Sequence, residues 1–256
     1  MKSIFSLQAL VAAALLMVAI PVRSALVFEE TGLNISIPDN SIQGILRTTT
    51  LSGWDASLTY TPRVTLRIAG TGFGGFVGDL YGYLSHETPG GDYRMAVLLN
   101  RPGRTVFEPS GYDEEGFDIV FADEAAADIH FYQDSHPSII SGTLFGTWQP
   151  DGRLASPFEV DEFSPRTTNL ASLGTIDPNG TWNLFLADLE AGGTMRLESW
   201  GLELIANPPA TAVPEPSQIL SALVLICLAA VMAASKSIWP LKQAGFPRPR
   251  ANTTLR

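Results

Sequence analysis

From Val64 to Ala69 the chain alternates, with Val64, Leu66 and Ile68 on one side and Thr65 and Arg67 on the other. Successive side chains of an extended strand point to opposite faces, so this period of two marks a half-buried antiparallel strand. Similar short runs occur at Leu33–Ile37, Ser57–Tyr60, Leu80–Ser85, Arg94–Leu99, Phe117–Phe121, Trp182–Ala187 and Arg196–Ile205. Turn chemistry separates them: Thr88-Pro89-Gly90-Gly91, Pro150-Asp151-Gly152, Asp177-Pro178-Asn179-Gly180 and Glu190-Ala191-Gly192-Gly193. Each supplies Pro for φ near −65°, or Gly or Asn for positive φ. No stretch before Ile219 holds a helical period for long, though Asp123–Asp128 could form one turn. Short strands with this punctuation predict an all-β chain, an antiparallel β-sandwich of jelly-roll-like type, without internal repeats. In the last strand the apolar phase shifts between Leu197 and Trp200, next to Gly201. A strand changes phase only by inserting a residue, so a β-bulge is expected near Ser199.

Apolar segments stand at both ends of this region. Met1–Ser24 has a positive start at Lys2, an apolar run from Ala9 to Ile20 and a small-residue exit at Val22-Arg23-Ser24-Ala25. That is the layout of a secretory signal peptide, with cleavage expected between Ser24 and Ala25. The β-sandwich then occupies residues 25–206, long enough for one domain with a substantial core. A Pro- and Ala-rich linker covers residues 207–213, and a membrane and tail region covers residues 214–256.

The overall charge of −10 hides an asymmetry. The middle region holds nine arginines, no lysine and 25 acids, a net charge of −16. Such a domain repels phosphate backbones, which excludes nucleic acid as an expected partner and suits an extracellular protein or one holding divalent cations. Cys227, the only cysteine, lies in the second apolar run, so the middle region has neither disulfides nor thiolate chemistry.

Several segments together resemble the P domain, also called P/Homo B, a β-sandwich that accompanies the catalytic domain of subtilisin-like proprotein convertases. In order they are Ile37-Pro38-Asp39-Asn40, Gly78-Asp79-Leu80 with Leu98-Leu99-Asn100-Arg101-Pro102-Gly103, and Phe121-Ala122-Asp123-Glu124-Ala125. Gly142 to Gly152 stands in the place of a family turn. Asn179-Gly180-Thr181-Trp182-Asn183-Leu184 and Leu197-x-x-Trp200-x-Leu202-x-Leu204 complete the set. The resemblance implies a P-domain-like or galactose-binding-like sandwich over about Asn34–Ile205. The segment from Gly152 to Asp177 is longer and more acidic than the family pattern. Trp182 and Trp200 are expected as core anchors on neighbouring strands, each burying on the order of 200 Å². Asn179-Gly180 is expected to form the tight turn into the Trp182 strand. P domains often hold calcium, so Asp79, Asp123 and Asp188, each next to a strand end within a matched motif, are the candidate Ca²⁺ ligands. The alternative is that these aspartates accept backbone N–H groups and shape loops.

Other motifs point to structure. Asp113–Asp118 lacks the spacing of an EF-hand loop and reads as an acidic turn. Gly70–Gly75 lacks the Lys-Ser/Thr and helix of a phosphate cradle. His86, His130 and His136 have no metal-ligand spacing and are expected to be incidental. There is no G-x-S-x-G elbow, and nothing selects a carboxylate pair such as Glu114 and Asp118 for glycoside hydrolysis. No catalytic role is expected.

At the C terminus, Pro214-Glu215-Pro216 precedes an apolar run at residues 219–235 and a tail at 236–256 with five bases and no acid. This arrangement resembles the PEP-CTERM sorting region of exopolysaccharide-producing Gram-negative bacteria. There an exosortase, an integral membrane cysteine transpeptidase, is thought to recognise the triplet. Apart from that resemblance, the apolar run reads as a single transmembrane helix, about 24 Å long at 1.5 Å per residue for its first 16 residues. Lys236 can snorkel and Trp239 can extend the span into the interface, and the basic tail sets a cytoplasmic C terminus.

Together these readings predict an exported protein, held in the inner membrane with its domain outside the cytoplasm and then sorted to the cell surface or extracellular matrix. Its sandwich would serve adhesion, matrix structure or ligand binding, with an exosortase-type transpeptidase and exopolysaccharide or other surface components as partners. The alternatives are an accessory P domain acting in trans in a serine-protease system and a carbohydrate-binding module for exopolysaccharide.

Overall fold

A computed structural model of the chain describes residues 25–71 and 74–207. Ser24, Pro214, Glu215, Pro216, both apolar terminal runs and the basic tail lie outside the described residues. Among the described residues no helix is long and apolar enough to cross a membrane.

Among the described residues eleven strands form two sheets: β1 (Ala25–Glu30), β2 (Ile35–Ile37), β3 (Ser41–Leu51), β4 (Thr59–Thr71), β5 (Leu80–Glu87), β6 (Tyr93–Asn100), β7 (Gly116–Phe121), β8 (Ser138–Ile140), β9 (Thr143–Trp148), β10 (Gly180–Asp188) and β11 (Thr194–Asn207). The larger sheet runs β1-β11-β4-β7-β9-β8, with β2 also paired to β11; the smaller runs β3-β10-β5-β6. Together they make a β-sandwich. One pair, β7 with β9, is parallel, so the sandwich is not wholly antiparallel. A parallel pair needs a crossover, and residues 122–142, including the short 3-10 segment Ile129–Ser135, provide it. The Asp123–Asp128 stretch forms turns and bends, not a helical turn.

The core follows from alternation. Tyr60, Val64, Leu66 and Ile68 of β4 are buried, as are Met195, Leu197, Trp200, Leu202 and Leu204 of β11. In the β11–β4 register Leu197 faces Ile68 and Ser199 faces Arg67, which leaves Glu198 as the inserted residue. The bulge expected near Ser199 is present, and Glu198 turns its carbonyl out of the ladder to accept from the Leu33 backbone N–H at 3.0 Å. Trp182 and Trp200 are both fully buried, but on β10 and β11 they belong to opposite sheets and are not on neighbouring strands. Arg47 of β3 ties the sheets at one edge by gripping Glu30 of β1 through Nε at 3.1 Å and Nη2 at 2.8 Å. Trp200 Nε1 donates to the same carboxylate at 2.7 Å. The Arg47 hydrogen bonds hold the Glu30 carboxyl below its usual range.

The connection from Gly152 to Asp177 lies along the free edge of β6. Asp151 and Gly152 donate to the carbonyls of Leu98 and Val97 at 3.0 Å each, and Val97 N–H donates to Thr168 Oγ1 at 3.1 Å. An edge strand presents unpaired N–H and C=O groups, and this segment satisfies those of Val97 and Leu98. It then forms the 3-10 segment Leu170–Thr175, whose Gly174 sits against β4. A Cβ on Gly174 would lie 1.7 Å from the carbonyl oxygen of Tyr60. Gly174→Ala is therefore expected to cost about 3 kcal/mol and lower the melting temperature of the full-length protein by roughly 6–12 °C. A thermal unfolding scan that leaves the midpoint in place would contradict this packing.

Candidate functional site

The antiparallel register of β10 with β5 places Asp188 opposite Leu80. Asp79 precedes Leu80 at the end of the 3-10 turn Val77–Asp79, and its carbonyl accepts from Leu189 N–H at 3.0 Å. Two aspartates from adjacent strand ends thus meet at one end of the smaller sheet. On the other flank of β10 the register with β3 slips between Leu186 and Asp188. Gly44 lies in that slip at φ +51°, where a Cβ would come within 2.1 Å of the Leu186 carbonyl oxygen.

Arg101, the residue after β6, supplies the positive charge. Its backbone is left-handed at φ +56°, with its N–H donating to the Leu80 carbonyl at 2.9 Å, and the residue is 1% exposed. The guanidinium donates through Nε to Gly78 O at 2.5 Å and through Nη2 to Pro109 O at 3.3 Å. It also pairs with Glu190 at 3.0 Å and with Asp79 Oδ1 at 3.5 Å. Asp188 is 2% exposed, and its Oδ1 has no hydrogen-bond partner. Burial pushes the Asp188 carboxyl up to about 7, with Asp79 and Asp39 adding repulsion. Burial likewise raises Asp79 to about 6, against the pull of Arg101. One guanidinium therefore faces several carboxylates, and a buried oxygen is left for a proton or a cation.

Asp123 does other work. Its two oxygens accept from Leu170 N–H at 3.0 Å and Ala171 N–H at 2.7 Å, fixing the start of the Leu170–Thr175 segment. The structure brings Asp79 and Asp188 together and keeps Asp123 apart on this backbone-capping duty. Among the described residues no group of three or more His, Cys, Asp or Glu side chains is arranged to hold a metal ion. The three aspartates do not make a single calcium cage. Asp79 and Asp188 are two carboxylates, the type of hard oxygen donor Ca²⁺ takes, and the Asp188 Oδ1 has no protein partner.

Two histidines expected to be incidental are structural centres. His130 is fully buried, with Nδ1 at 2.7 Å from Asp151 Oδ2 and Nε2 at 3.0 Å from Arg104 O. Arg153 Nη1 reaches Asp128 Oδ2 at 2.9 Å and Asp151 Oδ1 at 3.2 Å, so Arg153 ties the 149–168 segment to the 122–142 crossover, and His130 ties that crossover to Asp151 and to Arg104 of the 101–112 loop. His86 stacks on Trp182 with ring centroids 3.9 Å apart, its nitrogens facing Thr181 O at 3.2 Å and Asp177 O at 2.7 Å. Both rings are fully buried, and each ring nitrogen faces an oxygen of the protein. The sequence carried one signal for these roles: His86 occupies an inward position of an alternating strand. Arg101 was visible only as part of a matched motif. Asn179 also does more than turn the chain, because its side-chain amide brackets Trp54, accepting from its N–H at 2.9 Å and donating to its carbonyl at 3.0 Å.

No family model matches this chain, and no curated protein matches it. Among solved structures it is similar to the crystal structure of an Aeromonas sobria serine protease in complex with a chaperone. The TM-score is 0.36 at 14% identity, over 79% of this chain and 30% of that one. The chain thus spans under a third of that structure's length. A likeness this distant assigns neither family nor chemistry, and the sandwich rests on the strand pairing described above.

Proposed function

We propose that this protein is an exported, non-catalytic surface or matrix module: a P-domain-like β-sandwich delivered by a PEP-CTERM region that an exosortase-type transpeptidase processes. The observation that carries this reading is the order of segments in the sequence. A signal-like N terminus comes first, then an acidic cysteine-free domain, then Pro214-Glu215-Pro216, an apolar run and a basic tail. The engagement of His86 and His130 within the fold supports a binding role over a hydrolytic one. The positions of the matched motifs support the P-domain likeness, since Gly78-Asp79-Leu80 and Arg101 meet at one strand end. A calcium ion, where bound, is proposed at Asp79 and Asp188, where it would neutralise the carboxylate excess and fix the two strand ends.

The test is the mature mass of the protein recovered from membrane, medium and matrix fractions of the producing cell. The expected form begins at Ala25 and ends near Pro216, outside the membrane fraction. Recovery only from membranes, with Arg256 retained, would overturn the sorting proposal.

A further inference from the structure

The outward face of the smaller sheet is built across three strands in register. Leu46 of β3 lies opposite Phe185 of β10, which lies opposite Tyr83 of β5. The next row toward the sheet's other end is polar and uncharged, Thr48, Asn183 and Ser85, with Ser85 buried and Thr48 and Asn183 left to face outward. The residues between them, Trp182, Leu184 and Leu186, are fully buried, so this face is the one turned away from the core. Tyr83 and Phe185 stack with centroids 5.0 Å apart and planes inclined by 19°, and Tyr81 leans on both at about 60°. Leu46 is 56% exposed and Tyr93, at the end of β6, is 51% exposed.

Two properties of this face select its occupant. It is neutral: across those rows the only charged side chain is Glu87, in a third row at the far end of β5, although the domain carries 25 acids and nine arginines. It also offers unspent hydrogen-bonding groups between apolar ones. Among the described residues the bonded tyrosine hydroxyls are those of Tyr60 and Tyr132, whereas those of Tyr81, Tyr83 and Tyr93 enter no bond with the protein. Burial raises the Tyr81 and Tyr83 phenols further above neutrality, so both remain O–H donors. Thr48 donates to Asn183 Oδ1 at 2.7 Å, which leaves the Asn183 amide N–H groups without a protein partner.

An apolar protein partner would leave these hydroxyls unpaired on burial, at about 1–3 kcal/mol each. A polyanion or an anionic membrane would meet no basic side chain here and an acidic domain around it. Pyranose rings satisfy both requirements, because their axial C–H faces pack on aromatic rings while their hydroxyls bond to phenols and amides. We infer that the outer face of the β3, β10 and β5 strands is a binding platform for a neutral polysaccharide, with Tyr83 and Phe185 as its stacking surface. This deepens the surface-module reading by naming the ligand class.

The inference is tested by native affinity electrophoresis of the full-length protein in a non-glycosidic detergent, with mixed-linkage β-glucan, galactomannan, dextran or alginate cast in the gel. At least one neutral polymer is expected to retard it more than alginate does. Tyr83→Ala and Phe185→Ala are expected to weaken that retardation at least tenfold while keeping a cooperative thermal unfolding transition. If either variant fails to fold, Tyr81→Phe/Tyr83→Phe removes only hydroxyls and is expected to weaken binding at least threefold. Retardation by none of the neutral polymers, equal retardation by alginate, or variants that bind like the parent would overturn the platform. None of these results changes the mature mass, so failure of the platform and failure of the sorting proposal are separable.

Discussion

Arg101→Met is expected to destabilise the protein by about 3–5 kcal/mol and to lower its melting temperature by roughly 10 °C. The side chain is 1% exposed and, among the described residues, is the only cation in contact with Asp79 and Glu190. Methionine fills similar volume but leaves the buried Asp79 carboxylate without its cation and the Gly78 and Pro109 carbonyls without a donor, whereas the half-exposed Glu190 stays in reach of water. Breaking a buried pair from one side costs more than the pair itself is worth, because the remaining charge stays desolvated. Arg101→Lys keeps the charge yet cannot reach all four acceptors, so about half the loss is expected. Asp79→Asn in the Arg101→Met background should recover part of the stability, and urea unfolding of the four proteins closes the cycle. A cost below about 1 kcal/mol for Arg101→Met would mean that protonation of the carboxylates, not the guanidinium, holds this end of the sheet.

The strands that alternate cleanly were legible. β4 and β11 followed from the spacing of Val64, Leu66 and Ile68 and from the phase change after Leu197, which placed a bulge near Ser199; the strand pairing identifies the inserted residue as Glu198. Strands that alternate poorly were not. β3, from Ser41 to Leu51, mixes Ile42, Gln43 and Gly44 because it is an exposed edge with a register slip, and edge positions are not sorted by burial. β9 was hidden because Gly142 precedes Thr143–Trp148 and Gly146 interrupts it, both looking like turn residues, while the parallel pairing to β7 depends on a distant crossover. β1 was missed because Ala25–Glu30 follows the predicted cleavage point and reads as a leader into the domain.

The candidate site was half legible for the same reason. Asp79 and Asp188 flank readable strands, and pairing of those strands brings them together. Asp123 flanks β7, but its partners Leu170 and Ala171 sit in a segment with no period to read. The pairing of His130 with Asp151 and Asp128 with Arg153 spans 20 to 25 residues of irregular chain, where no sequence rule links one side chain to another.

Asp188→Asn is expected to stabilise the protein at pH 8 in chelator-treated buffer by about 2–4 kcal/mol and to flatten its stability profile. The folded-state carboxyl of Asp188 lies near 7, above an unfolded value near 3.8, so the folded protein binds the proton more tightly. Stability then falls as pH rises from about 4 through 7 and stays low above that, since the charged form is the one burial penalises. Asparagine keeps the shape and removes the charge, so this step disappears and the smaller one from Asp79, near 6, remains. Melting temperatures from pH 5 to 8 measure both steps. Calcium enters the same experiment with the opposite dependence: it competes with the proton, so millimolar calcium should raise the melting temperature of the parent at pH 8 but not at pH 5. Asp188→Asn should abolish that calcium shift. An identical profile in calcium and in chelator would assign the orphaned Oδ1 to a proton, leaving the pair as a pH-sensitive strand clasp. A calcium shift that survives Asp188→Asn would place the ion elsewhere in the acidic domain.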